Sequence, residues 1–464
     1  MKSNATTPPR LHELKPVIRL AAPIAFAHMA NYFMQIVDTF FVGKLGAVCL
    51  GGVALGSGLF AIVMMIAVGI MLGLDYHVSH AFGAKKYDEC NRLLTHGFYL
   101  AVMLAIPMTI FLQFCAGHFG MFGIAPDIGA QAGAYLKMLS LSLLPFLLFT
   151  ACRQYLQATG TAGPILIVFL CANVLNAFGN WVFIYGHLGF PAMGVAGSGI
   201  ATTISRTLML VALFCYTMAR NRKMKFSLRE AGLGFQRHLV RNLLSLGIPA
   251  SGQLLLEVGV FVTATFMIGR LGAVQLAAHQ IVLQIASFTF MMAMGISAAS
   301  AVIVGQALGA HQPARAVRQG WMGIALGTGV MAFFGITMFF CATPILRSFT
   351  HEDSVIAIAR QLILMAAFFQ IFDGAQVVAT GTLRGAGNTR ASLIANLIGH
   401  WFIGLPIGLV LCFKLHWNAL GIWVGLVIGL ASVAGILTSV WRRISPALGR
   451  IESPPQPVAA AVSL

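Results

Sequence analysis

The chain has 464 residues, 58% of them hydrophobic and only 9% charged. A soluble domain carries about a quarter charged residues because its surface faces water, so a soluble fold is excluded and the surface must face lipid. The 29 Lys and Arg outnumber the 12 Asp and Glu, a formal net charge of +17, but no basic stretch interleaves with exposed aromatics, which argues against nucleic acid as a partner.

Residues 1–16 are polar and precede full-length apolar runs, so they read as a cytoplasmic tail and not as a cleaved signal peptide. An apolar run of about twenty residues crosses the hydrocarbon core as a helix. Twelve such runs follow, at 17–42, 53–75, 96–117, 132–156, 164–186, 194–218, 243–268, 276–304, 320–342, 355–382, 391–412 and 420–441. The sequence therefore predicts an all-α integral membrane protein with an N-lobe at 17–218 (helices 1–6) and a C-lobe at 243–443 (helices 7–12). A cytoplasmic linker at 219–242 joins them. The tail at 444–464, with Ser453 to Pro457, reads as disordered.

Positive charge fixes the orientation. With both termini cytoplasmic, 22 of the 29 cations lie at the inner face, leaving Lys44, Lys137, Arg206, Arg270, Arg347, Arg360 and Lys414. The eight cysteines show no CxxC or Cys/His spacing, and Cys115, Cys171 and Cys412 read as small buried hydrophobes.

A repeat organises the whole chain. Gly43 to Val48 (GKLGAV) recurs as Gly269 to Val274 (GRLGAV), a shift of 226 residues. In the same register Pro23 meets Pro249, Ala81 to Ala84 (AFGA) meets Ala307 to Ala310 (ALGA), and Gly97 meets Gly323. Six spans repeated in the same orientation predict two pseudo-symmetric six-helix lobes about an axis along the membrane normal.

Ionisable groups inside a membrane span are costly and are functional candidates by default. Nine of the acids read as loop, tail or span-end residues, among them Asp75. Asp38, Glu257 and Asp373 fall inside spans 1, 7 and 10. A buried carboxyl can carry a proton, and with neighbouring oxygens it can hold Na⁺; structural pairing is the rival reading. Asn176 and Asn180, four residues apart on one helix face, and Thr202 are potential partners of Asp38. Polar helix packing is their alternative. His28, His279 and His400 also lie in spans, where a hydrogen-bonded structural role competes with proton carriage. No G-x-x-x-x-G-K-[ST], H-E-x-x-H or G-x-S-x-G occurs, so the energy source expected is an ion gradient and not ATP, and no enzyme activity or cofactor is expected.

Several segments together resemble the multidrug and toxic compound extrusion (MATE) family, NorM-like branch, from about Leu14 to Arg443. They are Val37 to Gly43 (VDTFFVG), Ala81 to Ala84, Gly247 to Pro249 with Glu257, Ala277 to Gln280 (AAHQ), and Asp373 with Gly381 to Gly387 (GTLRGAG). The resemblance implies two lobes around a central cavity and alternating access. It also implies export of cationic or amphiphilic drugs in exchange for Na⁺ or H⁺, by a monomer embedded in plasma-membrane lipid. It assigns Asp38, Asn176, Asn180 and Thr202 to an N-lobe coupling site, and Glu257 and Asp373 to a C-lobe cation site suited to Na⁺. Gln35, Gln280, His279, Glu352 and Asp353 are further candidates. A lipid-linked oligosaccharide flippase of the same superfamily would need an Arg- and Lys-lined cavity, whereas this one is acidic. A major facilitator antiporter would need a basic loop between spans 2 and 3 that Gly83 to Lys86 does not match. A receptor or channel is the reading from a different class.

Overall fold

The computed structural model describes residues 14–223 and 234–449; the parts of the expected tails at 1–13 and 450–464 and the middle of the expected linker fall outside them. The described residues are helical, with no strand among them. Eleven helices are long and apolar enough to cross a membrane, and a bent pair makes a twelfth crossing. The first six are span 1 (Leu14–Gly43), span 2 (Ala47–Gly83), span 3 (Tyr87–Gly117), span 4 (Pro126–Ser140 with Leu143–Ala158), span 5 (Gly163–Tyr185) and span 6 (Val195–Lys223). The second six are span 7 (Arg237–Gly269), span 8 (Ala273–Gly309), span 9 (Pro313–Phe340), span 10 (Asp353–Gly385), span 11 (Arg390–Lys414) and span 12 (Asn418–Gly449). A short helix, Ala342–Arg347, precedes span 10.

Several helices overrun the apolar runs. Span 2 continues to Gly83 instead of 75, span 3 begins at Tyr87 instead of 96, and helix occupies both ends of the expected 219–242 linker. Hydropathy registers only the stretch that lipid or core covers, while backbone hydrogen bonding carries a helix on into the polar interface. The expected tails also shorten, because helix starts at Leu14 and runs to Gly449. Phe40, Phe114, Phe266, Phe333 and Phe402 point outward as exposed apolar side chains, which suits a lipid-facing surface. Cys115 and Cys412 are buried as expected, but Cys171 is on the outside.

Breaks within spans occur where neighbouring side chains replace lost backbone bonds, as a hydrocarbon solvent demands. Span 4 bends by 44° between Ser140 and Leu143. There Gln113 of span 3 donates to the Lys137 carbonyl at 2.9 Å, Thr203 of span 6 to the Met138 carbonyl at 2.9 Å, and Thr109 to the Ser140 carbonyl at 3.4 Å. Arg206 donates to Ser142 at 2.7 Å, and its guanidinium lies over the Phe60 and Phe146 rings at 5.0 and 4.7 Å. Arg206, in the apolar part of span 6, thus braces this bend. Span 11 is wound as π-helix over Leu397–Gly404 and Val410–Lys414. Its Gly399, Gly404 and Gly408 pack against Gly425 and Gly429 of span 12, leaving no room for a Cβ.

The two halves meet in the register of the repeat. A Cβ on Gly83 would overlap the Gln306 carbonyl, and a Cβ on Gly309 would overlap the His80 carbonyl; each contact is the 226-residue image of the other. Gly69 against Ser251 and Gly295 against Ala25 form a second such pair. Ser79 and Gly305, equivalent positions, face each other on the axis. The side chain of Gln306 donates across the halves to the Ala158 carbonyl at 2.7 Å.

One ion pair breaks this symmetry. Arg384 of the second half approaches Asp75 of the first, with Nε 3.3 Å from Oδ2, and both are buried. Arg153, also buried, adds attraction to Asp75. Asp75, read from hydropathy as a span-end residue, lies inside the longer span 2, and Arg153 and Arg384, counted among the cations of the inner face, are buried there and not exposed to water. The repeat equivalents of Asp75 and Arg384 are Ala301 and Ala158, so the pair is an addition to the packing.

Removing one member of a buried pair strands the other charge, at a cost of about 3–5 kcal/mol. Asp75→Asn and Arg384→Gln are each expected to destabilise the purified protein by that amount in chemical denaturation. The double variant should lose clearly less than the sum, and additive losses would show that the pair is not coupled.

Candidate functional site

Of the residues singled out from the sequence, two groups come together, one in each half. In the first half, Asp38 sits beyond the middle of span 1 and is 7% exposed. Asn180 of span 5 donates to its Oδ1 at 2.7 Å, and Thr202 of span 6 donates to its Oδ2 at 3.1 Å. Asn176, one turn before Asn180, closes the network. It accepts from Asn180 at 3.2 Å and donates to Thr202 at 3.3 Å. All four are buried. Spacing of four residues puts the two Asn on one face, so span 5 presents a polar stripe to a single carboxylate. Both Asp38 oxygens are held by donors, an arrangement matched to the ionised group.

The second cluster is built differently. Glu257 of span 7 and Asp373 of span 10 are buried at 6% and 3% exposure. Gln253, one turn before Glu257, donates to its Oε2, and Gln376, three residues after Asp373, donates to its Oε1 at 3.4 Å. Asp373 and Glu257 are close enough to interact electrostatically. Asp373 Oδ2, Gln376 Oε1 and Thr380 Oγ1 are buried without a hydrogen-bond partner among the described residues. Two acids share this cluster with no basic side chain named among their partners. Its buried acceptor oxygens outnumber the donors that reach them, an arrangement that a cation or a proton can satisfy.

The other candidates lie elsewhere. His279 is buried, accepts from the Trp423 indole through Nδ1 at 3.1 Å and meets Thr265 through Nε2 at 2.9 Å. Because an indole N–H only donates, Nδ1 accepts and the neutral ring carries its proton on Nε2. His279 thus ties spans 7, 8 and 12. Gln35 and Gln280 are exposed and join neither cluster. Glu352 and Asp353 are exposed at the start of span 10, where Glu352 accepts from Ser354 at 2.7 Å and acidic charge suits the helix dipole. His400 lies in the π-wound part of span 11, and neither ring nitrogen has a hydrogen-bond partner among the described residues.

Gln253 and Gln376 were not singled out from the sequence, although a signal existed. Each is a polar residue one helical turn from an intramembrane acid, in an otherwise apolar run. No group of three or more His, Cys, Asp or Glu is clustered as a metal site among the described residues. A monovalent ion held by carboxylate and amide oxygens needs no such group.

Comparison with known proteins agrees with this architecture. The MatE family model matches residues 23–182 and 249–410, one segment in each half. The chain is 35% identical to a probable multidrug resistance protein NorM of Mesorhizobium japonicum, over 93% of this chain and 94% of that one. It is 33% identical to the multidrug resistance protein NorM of Burkholderia vietnamiensis, over 94% and 95%. Among solved structures, an outward-facing multidrug resistance MATE family transporter of the MOP superfamily superposes with a TM-score of 0.85 at 19% identity, covering 94% of this chain and 97% of that one. The eukaryotic MATE transporter AtDTX14 gives 0.83 at 19% identity, covering 94% and 98%. With a repeat that fits the two matched segments and relatives alike along nearly their whole length, the chain belongs to the MATE family of transporters, in its NorM-like branch.

Proposed function

We propose that this chain is a secondary active multidrug efflux antiporter, exporting organic cations and other amphiphilic drugs in exchange for Na⁺ or H⁺ by alternating access. The observation that carries the coupling is the contrast between the two acidic clusters. Asp38 already has donors on both oxygens, whereas Asp373 has a buried oxygen with none. An acceptor left unsatisfied in a low-dielectric interior is expensive, so the second cluster favours any state in which a cation or proton arrives. Glu257, Asp373 and Gln376 offer hard oxygen donors to Na⁺; alternatively, a proton on Asp373 has Gln376 Oε1 as an acceptor. An ion that binds one conformation better than another shifts the equilibrium by that difference in affinity and no more.

The membrane placement follows the same reading. With both ends cytoplasmic in the plasma membrane, the close contacts between halves gather at the inner ends of the spans, and the protein works as a monomer. Phe and Tyr side chains with two acidic clusters favour cationic drugs through charge and cation–π contacts of about 0.5–2 kcal/mol each.

Efflux from liposomes under separately imposed Na⁺ and proton gradients tests the coupling. Glu257→Gln and Asp373→Asn are each expected to reduce Na⁺-stimulated efflux to the level of protein-free liposomes while inserting normally. Asp38→Asn should also stop efflux. Full Na⁺ stimulation in the Glu257 and Asp373 variants would make those acids structural. Cells carrying the protein should resist ethidium-like and tetraphenylphosphonium-like cations but not strongly anionic drugs of similar size; equal protection against both removes the acids from substrate choice. Cysteines at positions 86 and 314, both exposed, should react with impermeant reagents only from the cytoplasm, and one at 351 only from outside.

A further inference from the structure

The repeat reveals two equivalent crevices between the halves at the inner ends of the spans, and only one is filled. On that flank His77 meets the Asn242 carbonyl at 3.2 Å, and the Tyr76 ring occupies the space in front of Gly387. The repeat images of Asn242 and Gly387 are Pro16 and Thr161, and those of Tyr76 and His77 are Val302 and Ile303. These shorter apolar side chains leave a cavity of about 800 Å³ on the second flank, with Pro16, Thr161 and Ile303 in its wall.

Three cations from both halves line this cavity: Arg19, Lys85 and Arg315. None of its lining residues is acidic. Nor does the fold demand the charge, because the repeat images of Arg19, Lys85 and Arg315 are Ser245, His311 and Glu89. The crevice is thus specifically basic on one flank only. Its walls are apolar at Leu20, Ala162 and Ile303, and it adjoins a second groove formed by Leu14, Lys15 and Ile18, with Arg19 common to both.

We propose that this crevice binds the phosphate headgroup of an anionic phospholipid of the inner leaflet. Arg19, Lys85 and Arg315 hold the phosphate through charge-assisted hydrogen bonds, and Leu20, Ala162 and Ile303 lie beside the first acyl carbons. The apolar wall, and a location where span 1 enters the membrane, suit a lipid better than a free anion. Because both halves supply cations, an occupied site stabilises the arrangement in which the inner ends are together. The assignment to the inner leaflet rests on the orientation given under Proposed function.

Native mass spectrometry of the full chain in neutral detergent, titrated with phosphatidylglycerol or phosphatidylcholine, tests the site. The wild type should retain one phosphatidylglycerol in preference to phosphatidylcholine. Arg19→Gln/Lys85→Gln/Arg315→Gln should weaken that binding by at least about tenfold, with Arg315→Gln alone intermediate. Arg347→Gln/Lys414→Gln, at the opposite ends of the spans, should bind as the wild type does. Unchanged thermal melting of the triple variant ensures that the loss reflects the site. Equal binding by the triple variant, or equal retention of the two lipids, overturns the proposal. Displacement by glycerol phosphate at the concentration of lipid used would make the ligand a free anion and overturn the lipid source. Labelling of a cysteine at position 86 from outside, with the lipid result intact, overturns the orientation and the leaflet but leaves the headgroup site standing.

Discussion

Hydrocarbon offers no hydrogen bonds, and this single constraint accounts for where the chain departs from plain helix and where its polar side chains go. At the bend of span 4, carbonyls freed at Lys137, Met138 and Ser140 are met by Gln113, Thr203 and Thr109 from neighbouring spans. Arg206 is accommodated on the same terms, its charge divided between a hydroxyl and two aromatic faces. In span 11 the glycines face the glycines of span 12, so one side of the unusual winding is covered by backbone. Each irregularity is local and has an identifiable partner.

Against that background the two acidic clusters stand apart. The one around Asp38 is closed at its acid, both carboxylate oxygens being held by donors from spans 5 and 6, and the buried oxygen left over there is on the amide of Asn180. The one around Glu257 and Asp373 is open, with acceptor oxygens on Asp373, Gln376 and Thr380 left over. A closed network fixes helix positions, because breaking it strands several groups at once. An open one is sensitive to its occupant. The family's two-lobe plan therefore carries a structurally unequal pair of sites on an almost equal pair of scaffolds.

Much of this was legible in the sequence. The 226-residue register, the twelve runs, the three intramembrane acids and the Asn176–Asn180 stripe all follow from periodicity and from the cost of charge in lipid. Besides Gln253 and Gln376, what escaped was of one kind. Asp75, Arg153 and Arg384 lie close to helix ends in the sequence, where charge ordinarily meets water, yet the opposite half covers them. Burial between halves is a property of the assembled pair, which hydropathy along one chain does not record. Gln35 and Gln280 show the converse: a polar residue near an acid or inside a motif is still exposed, and joins no polar cluster, if its turn of helix is exposed.

The meeting of Ser79 with Gly305 has a consequence for how such a chain can have arisen. In a dimer of identical six-helix subunits, a residue on the two-fold axis meets its own copy, so side chain must fit against like side chain. Here Ser79 fills the space that a Cβ on Gly305 would need. Joining two copies in one polypeptide lifts the requirement of self-complementarity, and each axial position becomes free to specialise. Once one copy has the hydroxyl and the other the vacancy, neither half can replace the other: two first halves would set serine against serine at a separation that admits only one.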